Sequence, residues 1–270
     1  MSMNNLSKIQ IQVFVFFILV ATVSIVPESR AQVSSAEGSP PVSTEQFTQV
    51  LWDQTGNPEG TGVTSQNFTD PGGVFDAFDN RAADDFEVPG TQGWNIKTVR
   101  PIGFYFNGPG PIQSLNVVFL TDSGGLPGSA IPGCDYQDIE PADVTDPNFI
   151  INLPEPCTLT SGVYWVSLQV NMPFNPNGQW FWMTEVDQSL NLFAWENPLN
   201  ASGSGCLTWS PGIDCVPSLG PDLSFQLIGE PFATPRPIPT LSQWALLATA
   251  GMLGLLGVTF MRRIKVSGLS

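Results

Sequence analysis

Histidine is absent from this 270-residue chain, and basic residues are scarce. Without imidazole, the commonest general acid–base group and the usual base of a serine or cysteine triad are missing. Its absence also weakens a zinc reading of the four cysteines, which show no close Cys-x-x-Cys spacing. Between Gln32 and Pro239, only Arg81, Lys97, Arg100 and Arg236 stand against 23 acids, a formal charge of −19. Such a surface repels phosphate backbones and anionic lipid headgroups, which argues against nucleic acid as a partner. It favours solubility, and acids this numerous can hold divalent cations. A sustained helical period is missing from the same stretch.

Two apolar runs bracket that stretch. The first, Val13–Val26, follows a weakly basic start and precedes Ser29-Arg30-Ala31, which puts small residues at −3 and −1 of a cut before Gln32. Residues 1–31 therefore read as a secretory signal peptide, with an uncleaved anchor as the weaker alternative because the run is short for a span. Residues 32–46 read as a flexible leader with little to bury. The four cysteines, Cys134, Cys157, Cys206 and Cys215, all lie in the exported stretch, and their even number fits disulfides in an oxidising compartment. Three pairings are possible. Cys134–Cys157 with Cys206–Cys215 is favoured, because each pair is nearest in sequence and brackets turn-rich chain.

Residues 47–229 carry short β-prone segments split by glycine and proline. They include Gln49–Trp52 (ended by a Gly/Pro/Asn run over 56–62), Trp94–Phe106, Leu115–Leu120, Phe149–Leu153, Trp180–Thr184, Leu190–Trp195 and Leu223–Leu227. The clearest alternation puts Tyr164, Val166, Leu168 and Val170 on one face of a strand, opposite Trp165, Ser167 and Gln169. Eight to ten such strands predict an all-β fold, a sandwich of jelly-roll type, with a closed barrel as the alternative. Ala130–Pro147 reads as a long acidic loop, and residues 230–237 as a stiff proline-rich spacer.

Three chemistries can be weighed. Asp76, Asp79, Asp84 and Asp85, with Asp70 and Glu87 nearby, could supply loop carboxylates to calcium. The bland alternative is a solvated loop closed by its own turns. Trp180, Trp182 and Trp195, with Trp165 and Trp209, could stack on the sugars of a surface polysaccharide, but a sandwich also needs large residues on its inner faces. Glu185, Asp187 and Glu196 are the acids a glycosidase would draw on, with no motif behind them. The chain is expected not to be an enzyme.

The second apolar run, Trp244–Met261, has 18 uncharged residues, about 27 Å as a helix, and ends at Arg262, Arg263 and Lys265. A transmembrane helix over 244–261 would leave the domain outside and the basic stop in the cytoplasm. Read alone, it is a permanent anchor. Just before it stand Ile238-Pro239-Thr240-Leu241-Ser242 and, one residue on, Trp244. This order of motif, span and basic end over 238–265 resembles the IPTL-CTERM sorting domain, a relative of the PEP-CTERM tails handled by exosortases. The resemblance implies that a membrane-embedded exosortase-type transpeptidase recognises Ile238–Leu241 at the inner membrane. It would cut there, sending the domain to the cell surface or beyond as a structural or adhesive component. Ala245 departs from the glycine the pattern leads one to expect. Upstream, Ala82-Ala83-Asp84-Asp85-Phe86, Gly103-Phe104-Tyr105, Gly162-Val163-Tyr164-Trp165 and Asp222-Leu223-Ser224-Phe225 resemble signatures of uncharacterised bacterial surface β-domains. That likeness implies a sandwich and no activity.

Overall fold

The computed structural model describes residues 48–233 and Met252. The expected signal peptide and leader, the end of the spacer and, Met252 apart, the tail lie outside the described residues. Among the described residues, no helix is long and apolar enough to cross a membrane.

The described chain is all-β and forms three open sheets. The first has the order β1 (Gln49–Gln54), β15 (Phe225–Ala233), β5 (Gln92–Pro101), β9 (Ile151–Leu159), antiparallel throughout. The second runs β13 (Ser210–Pro211), β12 (Ala194–Glu196), β4 (Arg81–Val88), β10 (Gly162–Met172), β7 (Ser114–Asp122), β8 (Pro127–Ile139). A short β3 (Gln66–Phe68) lies parallel to the end of β10. In the third, β14 (Asp222–Leu223), β11 (Gln179–Glu185) and β2 (Pro58–Thr64) lie in order, and β6 (Gly103–Phe106) also pairs with β11.

One core cluster draws on all three sheets. Ile96, Val99, Ile151, Phe225 and Leu227 come from the first, Phe86, Val117, Phe119, Val166 and Leu168 from the second, and Trp180, Trp182 and Leu223 from the third. The alternation in β10 does what its period demands. Val166, Leu168 and Val170 enter this core, while Trp165 faces the other way and packs with Ala83, Leu120 and Ala194. Each large side chain fully buried contributes roughly 1.5–3 kcal/mol, so an inward face of this kind fixes the register.

Four expectations are corrected. The acidic stretch from Ala130 is strand as far as Ile139. Pro132 and Gly133 are accommodated because β8 is an edge strand whose pairing with β7 carries register shifts. The Gly/Pro/Asn run over 56–62 largely becomes β2, paired with β11. The strand expected over Leu190–Trp195 shrinks to Ala194–Glu196, with Leu190 at a φ of +65°. The spacer begins later than residue 230, since β15 continues to Ala233 against β5. Pro231 stands opposite Trp94 in the ladder with β5. Lys97 pairs with Glu230, and the ring of Phe232 sits where a Cβ on Gly93 would collide with it.

Both favoured disulfides are present, Cys134–Cys157 and Cys206–Cys215. The first ties β8 to β9, the edge strands of two different sheets. Chain-entropy arithmetic for the two loops gives about 3 kcal/mol each, slightly more for the longer. Replacing Cys134 and Cys157 by alanine should therefore lower the unfolding free energy by about 3 kcal/mol, and the Cys206/Cys215 pair by somewhat less. Urea melts of the two double variants measure both.

Candidate functional site

The most unusual chemistry lies where β4 outruns its neighbour. β12 pairs with β4 only from Arg81 to Ala83. From Asp84 onward, that edge is met by the chain after β11 and by β14. Asp84 is fully buried and accepts from the amides of Leu223 (2.6 Å) and Asp85 (2.9 Å) and from Gln54 Nε2 (2.7 Å). Asp85, on the opposite face, accepts from Asn191 Nδ2 (2.6 Å) and N (3.2 Å) through Oδ2. Glu185 and Asp222 are direct cross-strand partners on β11 and β14. Glu185 accepts from the amide of Asn57 (2.8 Å), and Asp222 from that of Ser189. Each of these last three acids keeps one buried oxygen with no hydrogen-bond partner: Asp85 Oδ1, Glu185 Oε1 and Asp222 Oδ1.

No described base enters this cluster. The ion pairs among the described residues are Arg81–Glu196 and Lys97–Glu230. Burial, reinforced by the charge of Asp222, pushes the Asp84 carboxyl well above its ordinary range. Burial raises Asp85 to about 6 against the bonds from Asn191, and raises Asp222 to about 7 with help from Asp85 and Glu185.

The expected sites are distributed differently. Asp84 and Asp85 stand in mid-strand, on opposite faces, and not in a loop. Asp76 lies in a single 3₁₀ turn, and Asp79 accepts from the amide of Phe68 (2.8 Å). Asp70 accepts from the amides of Phe174 (2.6 Å) and Asn175 (3.2 Å). The acidic loop thus uses Asp70 and Asp79 to tie down backbone. Among the described residues, no three of His, Cys, Asp and Glu are grouped to hold a metal ion.

Trp180, Trp182 and Trp195 are at most 2% exposed, which leaves no ring face for a sugar. Their Nε1 groups donate to the carbonyls of Pro147 (2.9 Å), Ser224 (2.9 Å) and Thr64 (2.8 Å), so all three are satisfied core residues. That corrects the carbohydrate reading of these residues. Of the acids a glycosidase would use, Glu196 is paired with Arg81, which also lies over Trp209. Glu185 and Asp187 both engage Asn57.

A cleft of about 270 Å³ escaped the sequence reading. Phe68, Phe75, Phe78 and Phe174 line it, with Phe75 and Phe174 ring centroids 5.2 Å apart. Its walls come from three separated segments, so no local pattern announces it.

The pH dependence of the acid cluster follows by sign. Asp85 and Asp222 bind protons more readily folded than unfolded, so their contribution is complete below the ordinary carboxylate pKa of about 4. It is lost as pH rises through about 6 to 7. Asp222→Asn should raise the melting temperature at pH 7.5 in buffer containing EDTA and leave it nearly unchanged at pH 4. Scanning calorimetry at the two pH values is the check.

No curated protein and no solved structure matches the chain. The tail is different: the family model of the IPTL-CTERM motif matches residues 236–263, and the chain carries that sorting motif.

Proposed function

We propose that this is an exported surface protein whose C-terminal signal is read by an exosortase-type membrane transpeptidase, and whose β-domain serves a structural or adhesive role outside the cell. The observation that carries this reading is the motif match at 236–263, beginning three residues after the last described strand residue, Ala233. Ile238, Pro239, Thr240 and Leu241 are the recognition segment, with Trp244 at the outer interface. Arg262, Arg263 and Lys265 form the cytoplasmic stop of a temporary span over 244–261.

From Ala233 to Ile238 the chain reaches at most about 17 Å. The domain is therefore held close to the membrane until it is cut free. Two disulfides suit an oxidising exterior, and the acidic surface keeps the released domain soluble. The packed open sheets are best described as a jelly-roll-like sandwich, with no catalytic group assigned.

Mass spectrometry of the mature protein from its native host tests the proposal. Its C-terminus should fall within 238–242, with Trp244–Met261 lost. Pro239→Ala should accumulate an uncut form in the membrane fraction. A mature protein that retains Trp244–Met261 means a permanent anchor and ends the proposal.

A further inference from the structure

Among the described residues, the orphan carboxylate oxygens are Asp85 Oδ1, Glu185 Oε1 and Asp222 Oδ1. They belong to side chains that are 0%, 2% and 0% exposed. Two of them, Glu185 and Asp222, are directly opposed on antiparallel strands, where β-carbons lie about 5 Å apart and like charges repel. Asp84 and Asp85 add negative potential from β4.

Each acid already uses its other oxygen to accept a backbone amide: Asn57 on Glu185, Ser189 on Asp222 and Asn191 on Asp85. The carboxylates are held by the fold, and their second oxygens are left without a partner. One proton shared between two of the orphan oxygens would satisfy that pair and leave the third acid unsatisfied, so protonation alone does not serve all three. Nor does a described base serve as counter-ion: Arg81 and Lys97 are engaged with Glu196 and Glu230, and Arg100 stands on β5 opposite Gln226.

We propose that the Glu185–Asp222 pair is a divalent-cation site of calcium type, one ion joining the two orphan oxygens while backbone carbonyl and water oxygens complete its shell. Because no three acids are already grouped around one point, the neutral oxygens must supply most of the shell, as calcium's six to eight ligands allow. Gly220 packs against this pair, since a Cβ there would collide with the carbonyl oxygen of Glu185. Glu59, bonded to Thr184 Oγ1, borders the same place. All-oxygen donors select a hard cation, and with every described cysteine in a disulfide no thiolate is left for zinc. Asp85, the acid of the original calcium set that keeps an orphan oxygen, adds field without being one of the two bridging ligands. This site is independent of the sorting reading.

The test uses the full chain in mild detergent, stripped with EDTA and then titrated with calcium chloride at pH 7.5 while its melting temperature is read. A hundredfold excess over the dissociation constant should raise it by roughly 5–10 °C. Glu185→Gln and Asp222→Asn should each abolish the rise. Both remove a buried charge and keep the side-chain shape, so they should fold, and tryptophan fluorescence verifies that they do. Asp143→Asn, at an exposed acid in the loop before β9, should keep the full rise. No rise in the unaltered chain, or a rise retained at full size in either variant, overturns the assignment.

Discussion

Carboxylates that must be satisfied without bases shape this molecule. Between β1 and β15, Arg81, Lys97 and Arg100 are the only bases, so ion pairing cannot serve as the general solution. Backbone amides serve instead. Asp70 holds the turn after β10, Asp79 the amide of Phe68, Asp84 that of Leu223, and Asp122 the glycine turn at Gly124 and Gly125. Asp53, Asp143 and Asp146 each close a local turn on a residue two positions ahead. A hydrogen bond to an ionised acceptor contributes more than a neutral one, and a donor on the backbone brings no second side chain to order. The acidic composition thus becomes a set of loop ties, and a fold so rich in connections can afford it.

The same economy fails at one edge. Where β4 extends past β12, Asp85, Glu185 and Asp222 receive amides on one oxygen only. A fold that satisfies Asp84 with three donors a residue away was not short of donors. Among the carboxylates the shortage falls on three side chains, two of them opposed across β11 and β14. Apolar replacements of similar shape would avoid the repulsion, and breaking half of a buried polar arrangement is more damaging than removing it. Three half-satisfied acids at one edge therefore point to a ligand supplied from outside the chain.

What the sequence disclosed followed periodicity. In β10 the two-residue alternation separates Val166 and Leu168 from Trp165 correctly, and the nearest-in-sequence cysteines do pair. What it concealed depended on neighbours. Pro132 and Gly133 look like loop residues until β8 proves to be an edge, and Pro231 looks like spacer until β15 proves to continue against β5 as far as Ala233. Asp84 and Asp85 read as loop acids because a buried charge in mid-strand is rare. Only the donors brought by Gln54, Leu223 and Asn191, up to 139 positions away, make them tolerable there. Trp180 and Trp182 share a face as the spacing requires, but spacing cannot say whether that face is wet.

The position of β15 bears on how cargo and tail divide their work. This last strand inserts between β1 and β5 and carries Phe225 and Leu227 into the common core. Without it, β1 loses its partner in the sheet and the core loses one wall, so the domain cannot close until the chain has emerged as far as Ala233. The motif matched from residue 236 follows almost at once. On the proposed reading, an enzyme at Ile238–Leu241 would work within about 17 Å of a finished sheet. Such a cut would remove no residue of any described strand and would leave both disulfides inside the released piece. On that reading, the short link between β15 and the motif would make completion of the fold and presentation of the signal nearly the same event.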